Sequence, residues 1–119
     1  IEALTMLDMV RRDILPAMSA YSAELARDAK EKSALLGETD ISYEKETAKS
    51  LSALIGSAFR NAKKLESDLL AAKSVTDTAE LANVYQSTIL DDMRSLRIAV
   101  DEMETMAAAK VWPLLFGVC

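Results

Sequence analysis

Histidine is absent from the 119 residues, and cysteine occurs once, as Cys119. The first absence removes Ser-His-Asp and Cys-His catalysis, histidine-ligated zinc and the Glu-x-x-His pairs of di-iron bundles. The second excludes an internal disulfide and a CxxC site; it is compatible with a reducing compartment without requiring one. Aromatic residues make up 5%, glycine appears 3 times and proline 2 times. A β-sandwich or barrel needs β-branched and aromatic runs broken by many turn residues, so the expected class is all-α. No apolar run approaches the ~20 residues of a bilayer span. The stretch Ile1–Met9 carries acidic residues and no basic start, so a signal peptide is not expected either. The missing initiator Met reads as a fragment or a processed chain. Basic residues are outnumbered 14 to 19, giving a net charge of −5. Such a surface repels phosphate backbones and anionic lipid, so neither nucleic acid nor a membrane is an expected partner.

What is present in quantity is alanine and leucine, then glutamate, lysine, methionine and arginine. These are the residues that lose least rotamer freedom on a helix. Leu7, Val10, Ile14, Met18, Tyr21 and Leu25 recur three and four apart, which predicts a helix over about 2–36. Pro16 lacks an N–H and crowds the carbonyl four residues back, so a kink near Arg12–Leu15 is expected. Asp8 with Arg12, and Asp28 with Lys32, have the favoured acid-first spacing for exposed pairs. Gly37 stands where a helix-ending glycine would. Ser42 suits an N-cap, with Glu44 facing the helix dipole.

A second helix is predicted over about 42–73, where Ala48, Leu51, Ile55, Ala58, Ala62, Leu65, Leu69 and Ala72 form a sustained heptad seam. Asp77 with Glu80 makes a capping-box-like start for a third, over about 77–110, with Leu81, Tyr85, Ile89, Met93, Leu96, Val100, Met103 and Ala107 on one face. Short loops make consecutive helices antiparallel neighbours. The expected architecture is one domain: an elongated up-down-up bundle of three long antiparallel helices. A short apolar tail over 111–119 follows, begun where Pro113 pushes Trp112 out of the helical region.

The candidate sites read mostly as structure. Asp91, Asp92, Asp101, Glu102 and Glu104 point to several faces, with Arg94 and Arg97 among them, so a solvated face is expected and no metal site. Arg11 and Arg12, and Lys63 and Lys64, are adjacent pairs about 100° apart on a helix and cannot grip one phosphate together. Met6, Met9, Met18, Met93, Met103 and Met106 could make an adaptable groove, but Met18, Met93 and Met103 fall in the core stripes. Tyr21, Tyr43 and Tyr85 suit ring packing with the hydroxyl at the edge. The tail differs: Trp112, Leu114, Leu115, Phe116 and Val118 lie beyond the helical period. Two readings stay open, a cap folded back on the bundle and a contact docked on another domain or subunit.

The run Met6-Leu7-Asp8-Met9-Val10-Arg11-Arg12-Asp13-Ile14-Leu15-Pro16-Ala17, continuing to Ser19-Ala20-Tyr21, resembles the C-terminal region of type III glutamine synthetases, where an "ILPA…SAY…EL" helix follows the catalytic domain. Ser42-Tyr43-Glu44-Lys45-Glu46, then Leu90, Met93, Leu96, Arg97 and Val100-Asp101-Glu102, and finally Trp112-Pro113, agree in order. After Pro113 the chain departs: Leu114-Leu115-Phe116 follows directly where the family carries a Pro-Thr-Tyr-like stretch. The resemblance implies a cytoplasmic parent enzyme that makes glutamine from glutamate and ammonia with ATP and Mg²⁺ or Mn²⁺, assembled as a ring-based homo-oligomer. It places the metal and nucleotide ligands upstream, so no catalytic, cofactor or metal position is carried onto these residues. The implied role is an accessory helical domain that contacts its own catalytic domain and neighbouring subunits. The alternative is a free-standing helical adaptor that binds a partner protein.

Overall fold

The computed structural model describes residues 2–107, and the tail that holds Trp112, Leu114, Leu115 and Phe116 lies outside them. The described residues are all-helical and contain no strand. Helix α1 (Ala3–Met9) passes through a π turn, π1 (Val10–Ile14), into α2 (Leu15–Leu36). Helix α3 covers Ser42–Ala72; α4 (Thr78–Val84) passes through a second π turn, π2 (Tyr85–Ile89), into α5 (Leu90–Met106). The chain therefore makes three rods, and α3 packs on α2 and on α5. No described helix is long and apolar enough to cross a membrane.

The apolar stripes become one core. Leu7, Val10, Ile14, Met18, Tyr21 and Leu25 of the first rod are buried together with Leu51, Ala58, Ala62, Leu65 and Leu69 of α3 and with Ile89, Leu96, Val100 and Met103 of the third rod. The alanines of α3 let the neighbouring rods approach closely, while Leu51 and Leu65 are fully buried on either side of them. Met6, Met18 and Met103 are buried in this core, and Met9, Met93 and Met106 are packed against its edge.

Three features depart from the sequence reading, each for a local reason. The kink expected before Pro16 takes the form of π1. The wider turn lets the Leu15 N–H bond the Val10 carbonyl, five residues back, and so absorbs the proline without ending the rod. A π turn adds one residue to the helical repeat, and π2 does the same in the third rod. The stripe consequently changes phase there: Ile89 is buried, Tyr85 is exposed, and no residue of α4 is buried. Ser42 is not the cap of α3. Asp40 accepts from the Ser42 N–H at 3.0 Å and from its hydroxyl at 2.6 Å, an Asx turn that takes over the first orphan donor. Helix α5 is described to Met106, with Ala107 extended, and residues 108–110 of the helix expected over about 77–110 lie outside the described residues.

Other ends follow the chemistry of the sequence. The Asp77 carboxylate accepts from the Glu80 N–H at 3.1 Å and starts α4. Gly37 ends α2 at φ 70°, ψ −130°, and its N–H donates to the Ser33 carbonyl at 3.1 Å. That backbone conformation is open to glycine and strained for any residue with a Cβ.

Candidate interaction surfaces

Two regions concentrate chemistry. The first is a charged waist on α3, where both π turns abut this helix. Arg11 of π1 reaches Glu66 through two parallel hydrogen bonds, of 2.9 and 3.0 Å. On another face Lys64 donates to Asp68 at 2.9 Å and to Asp92 of α5 at 2.7 Å. Each bond favours the charged form of its carboxylate. Glu66 is held below its ordinary range by Arg11, and the Lys64 ammonium is stabilised well above its ordinary value by the two aspartates.

Asp92 is the exception. Its side chain is only 4% exposed, and burial pushes its carboxyl up from the usual range against the pull of Lys64. No N–H or O–H donor reaches its Oδ2. The neighbouring Asp68 carboxyl can share a proton with it, which keeps Asp68 low and Asp92 high. The acidic residues of the third rod therefore do not behave as one solvated face. Asp91 pairs with Arg94 at 3.5 Å and Asp101 with Arg97 at 3.8 Å, while Asp92 turns inward to Lys64. Among the described residues no three acidic, His or Cys side chains gather as a metal site would require.

The basic pairs are likewise split. Arg11 faces Glu66 and Arg12 faces Asp8, whereas Lys64 lies between two aspartates and Lys63 sits 4.6 Å over the Phe59 ring. Lys32 does not take Asp28 on its own helix; it crosses the turn to Glu44, which is buried, at 2.5 Å. Tyr21, midway along the first rod, interacts with Tyr43 of α3. Tyr21 is buried and its hydroxyl is pushed up to about 12, chiefly by burial and then by a hydrogen bond with Tyr43. Sequence spacing shows none of these cross-rod pairs, because the partners lie 12, 28 and 55 residues apart.

The second region is an apolar crevice of about 220 Å³ between the start of the first rod and the end of the third. Met6, Met9, Val10, Ile14, Leu96 and Val100 form its walls, and Arg97, Asp101 and Glu104 line its rim. Glu104 titrates above the ordinary carboxylate range, because partial burial and the nearby Asp101 charge outweigh Arg97. A third apolar surface is exposed at the turn between α2 and α3, where Leu35 is 84%, Leu36 61% and Tyr43 65% exposed.

Comparison with known proteins adds the context that geometry alone lacks. Over 110 residues the chain is 34% identical to a glutamine synthetase from Butyrivibrio fibrisolvens. The chain is related to glutamine synthetase. The match takes in 92% of this chain and only 16% of the length of that glutamine synthetase. It is far longer than any single rod, so the relationship to glutamine synthetase spans all three. No family model and no solved structure matches the chain.

Proposed function

We propose that these residues form an accessory, non-catalytic helical domain near the C-terminus of a type III glutamine synthetase, and that the domain supports subunit or domain assembly. The observation that carries this reading is the span of the similarity: nearly the whole chain corresponds to about one sixth of a much longer glutamine synthetase. On this reading the ATP-dependent joining of glutamate and ammonia, with its Mg²⁺ or Mn²⁺, takes place in the catalytic barrel of the parent protein, in the cytoplasm.

An up-down-up bundle is the arrangement that fits the cross-rod pairs. Arg11 meets Glu66 and Lys32 meets Glu44, so rising numbers on the first rod meet falling numbers on α3. Lys64 meets Asp92 across the short connection to the third rod. A stiff bundle of this kind suits positioning and contact. The exposed Leu35, Leu36 and Tyr43 offer the apolar surface for a neighbouring subunit or for the catalytic domain.

Light scattering on the full-length parent protein, with and without the region corresponding to these residues, tests the assembly role. The expected result is a lower-order assembly for the shortened protein. Unchanged assembly would overturn the reading and favour a free-standing adaptor. Calorimetry of the isolated chain with Mg-ATP tests the non-catalytic part: no saturable heat is expected, and a micromolar binding curve would overturn it.

A further inference from the structure

We propose that the crevice between α1–π1 and α5 is the docking site of this chain's own apolar segment Trp112–Phe116, which returns along α5 to cover it. Three observations carry the assignment. The first is where the described chain leaves the helix. Met106 and Ala107 both pack against the core, and Glu104, three residues before Ala107, lines the crevice rim. Ala107 is already extended, at φ −72° and ψ 140°, so the chain leaves α5 on the core side and beside the crevice.

The second is reach. An extended chain covers at most ~3.3–3.6 Å per residue, so the five residues from Ala107 to Trp112 span up to about 16–18 Å. On a helix that rises 1.5 Å per residue, the distance from Ala107 back to Leu96 is about 16 Å. Trp112 can therefore lie at any level of the crevice wall that α5 provides.

The third is chemical match. The walls are Met6, Met9, Val10, Ile14, Leu96 and Val100, and their rim charges Arg97 and Asp101 answer each other. From Val111 to Cys119 the sequence carries no acidic or basic side chain and supplies Trp112, Leu114, Leu115 and Phe116. An apolar segment over these walls removes large side chains from water and leaves the Arg97–Asp101 pair at the rim intact. Methionines at the entrance suit an irregular aromatic guest, because the thioether chain adapts its shape.

Trp112 is the only tryptophan, so the fluorescence of the whole 119-residue chain reports this segment alone. The expected emission is blue-shifted, several-fold less quenched by iodide than free indole, and unchanged on hundredfold dilution. Met9→Glu places a carboxylate at a half-buried wall position. It is expected to shift the emission to the red and at least double the quenching while helical circular dichroism is retained. A second variant, ending after Lys110, is expected to bind an apolar reporter dye that the full chain does not bind. Emission like that of exposed indole, or protection lost on dilution, would overturn the proposal, the latter by assigning the segment to a second copy. Protection that survives Met9→Glu in a folded chain would overturn it too, as would a shortened chain that binds no more dye; should Met9→Glu fail to fold, the shortened chain decides. None of these readouts depends on the assembly of the parent protein, so this inference and the proposed function fail separately.

Discussion

At the scale of single residues, the strongest tension in the fold sits at Asp92. Its folded value is raised above the ordinary 3.8, so folding favours its protonated form. The stability associated with that form is full below the unfolded value and is lost as pH rises through the raised folded value. Asp40, Glu44 and Glu66 have the opposite sign: each is lowered, so their contribution is present at neutral pH and is lost on acidification below the ordinary carboxylate range. Those three do not touch Asp92, so they are common to the wild-type chain and an Asp92→Asn variant and cancel in the difference. Asp68, also lowered, keeps a donor in the side-chain amide N–H of that variant. Relative to wild type, Asp92→Asn should therefore be more favourable at pH 7 than at pH 3 in urea titrations at the two pH values. A difference of the reverse sign would mean that the bond to Lys64 outweighs burial. Gly37 offers a second test. Nothing lies within 4 Å of the position a Cβ would take, so any cost of Gly37→Ala is backbone strain alone. Thermal or urea unfolding should show a loss of about 1–3 kcal/mol.

At the scale of elements, α3 is the part on which both other rods depend. Leu65 is fully buried in the seam between them. Leu65→Ala should cost roughly 2–5 kcal/mol in urea unfolding, and a loss below 1 kcal/mol would show that the seam collapses around the missing side chain. This seam was legible in the sequence because a heptad on a regular helix keeps its phase over its whole length. The third rod's start was legible from Asp77, but its buried face was legible only after π2. Leu81 and Tyr85 share the apolar spacing of Ile89 and Met93, but the extra residue of the π turn rotates them off the core, and apolar spacing carries no mark of that hydrogen-bond shift. Pro16 gave a local signal for π1, whereas nothing comparable precedes Tyr85–Ile89. Asp92 was missed as a buried group for a related reason. It sits three residues after Ile89 and beside the Met93 stripe, at the edge of the seam, and its partner Lys64 lies on another rod. Lys32 was given the wrong partner because Asp28 is near in sequence while Glu44 is near only once the turn at Gly37 has formed.

At the scale of the whole molecule, the charges of the waist are answered within the chain and the apolar surface at the α2–α3 turn is not. Around the waist the charges are answered by Arg11–Glu66 and Lys64–Asp68–Asp92. At the α2–α3 turn, Leu35 and Leu36 stand in water beside an exposed Tyr43. Burying a leucine fully stabilises by ~1.5–3 kcal/mol relative to leaving it exposed, so two leucines covered by a neighbour would contribute substantially to an interface. They contribute almost nothing to the isolated fold, because neither is buried in it. Replacing both, as Leu35→Ser with Leu36→Ser, should change the unfolding free energy of this chain by no more than about 0.5 kcal/mol per site. On the proposed reading, the same pair of changes in the full-length parent should weaken subunit assembly by about tenfold or more, since each 1.4 kcal/mol of lost contact is a factor of ten in the association constant. The comparison separates two roles for this end of the rod. Loss of assembly with an unchanged fold identifies the turn as a contact surface. An unchanged assembly would show that these leucines remain in water in the parent as well, and would move the contact surface to another face of the three rods.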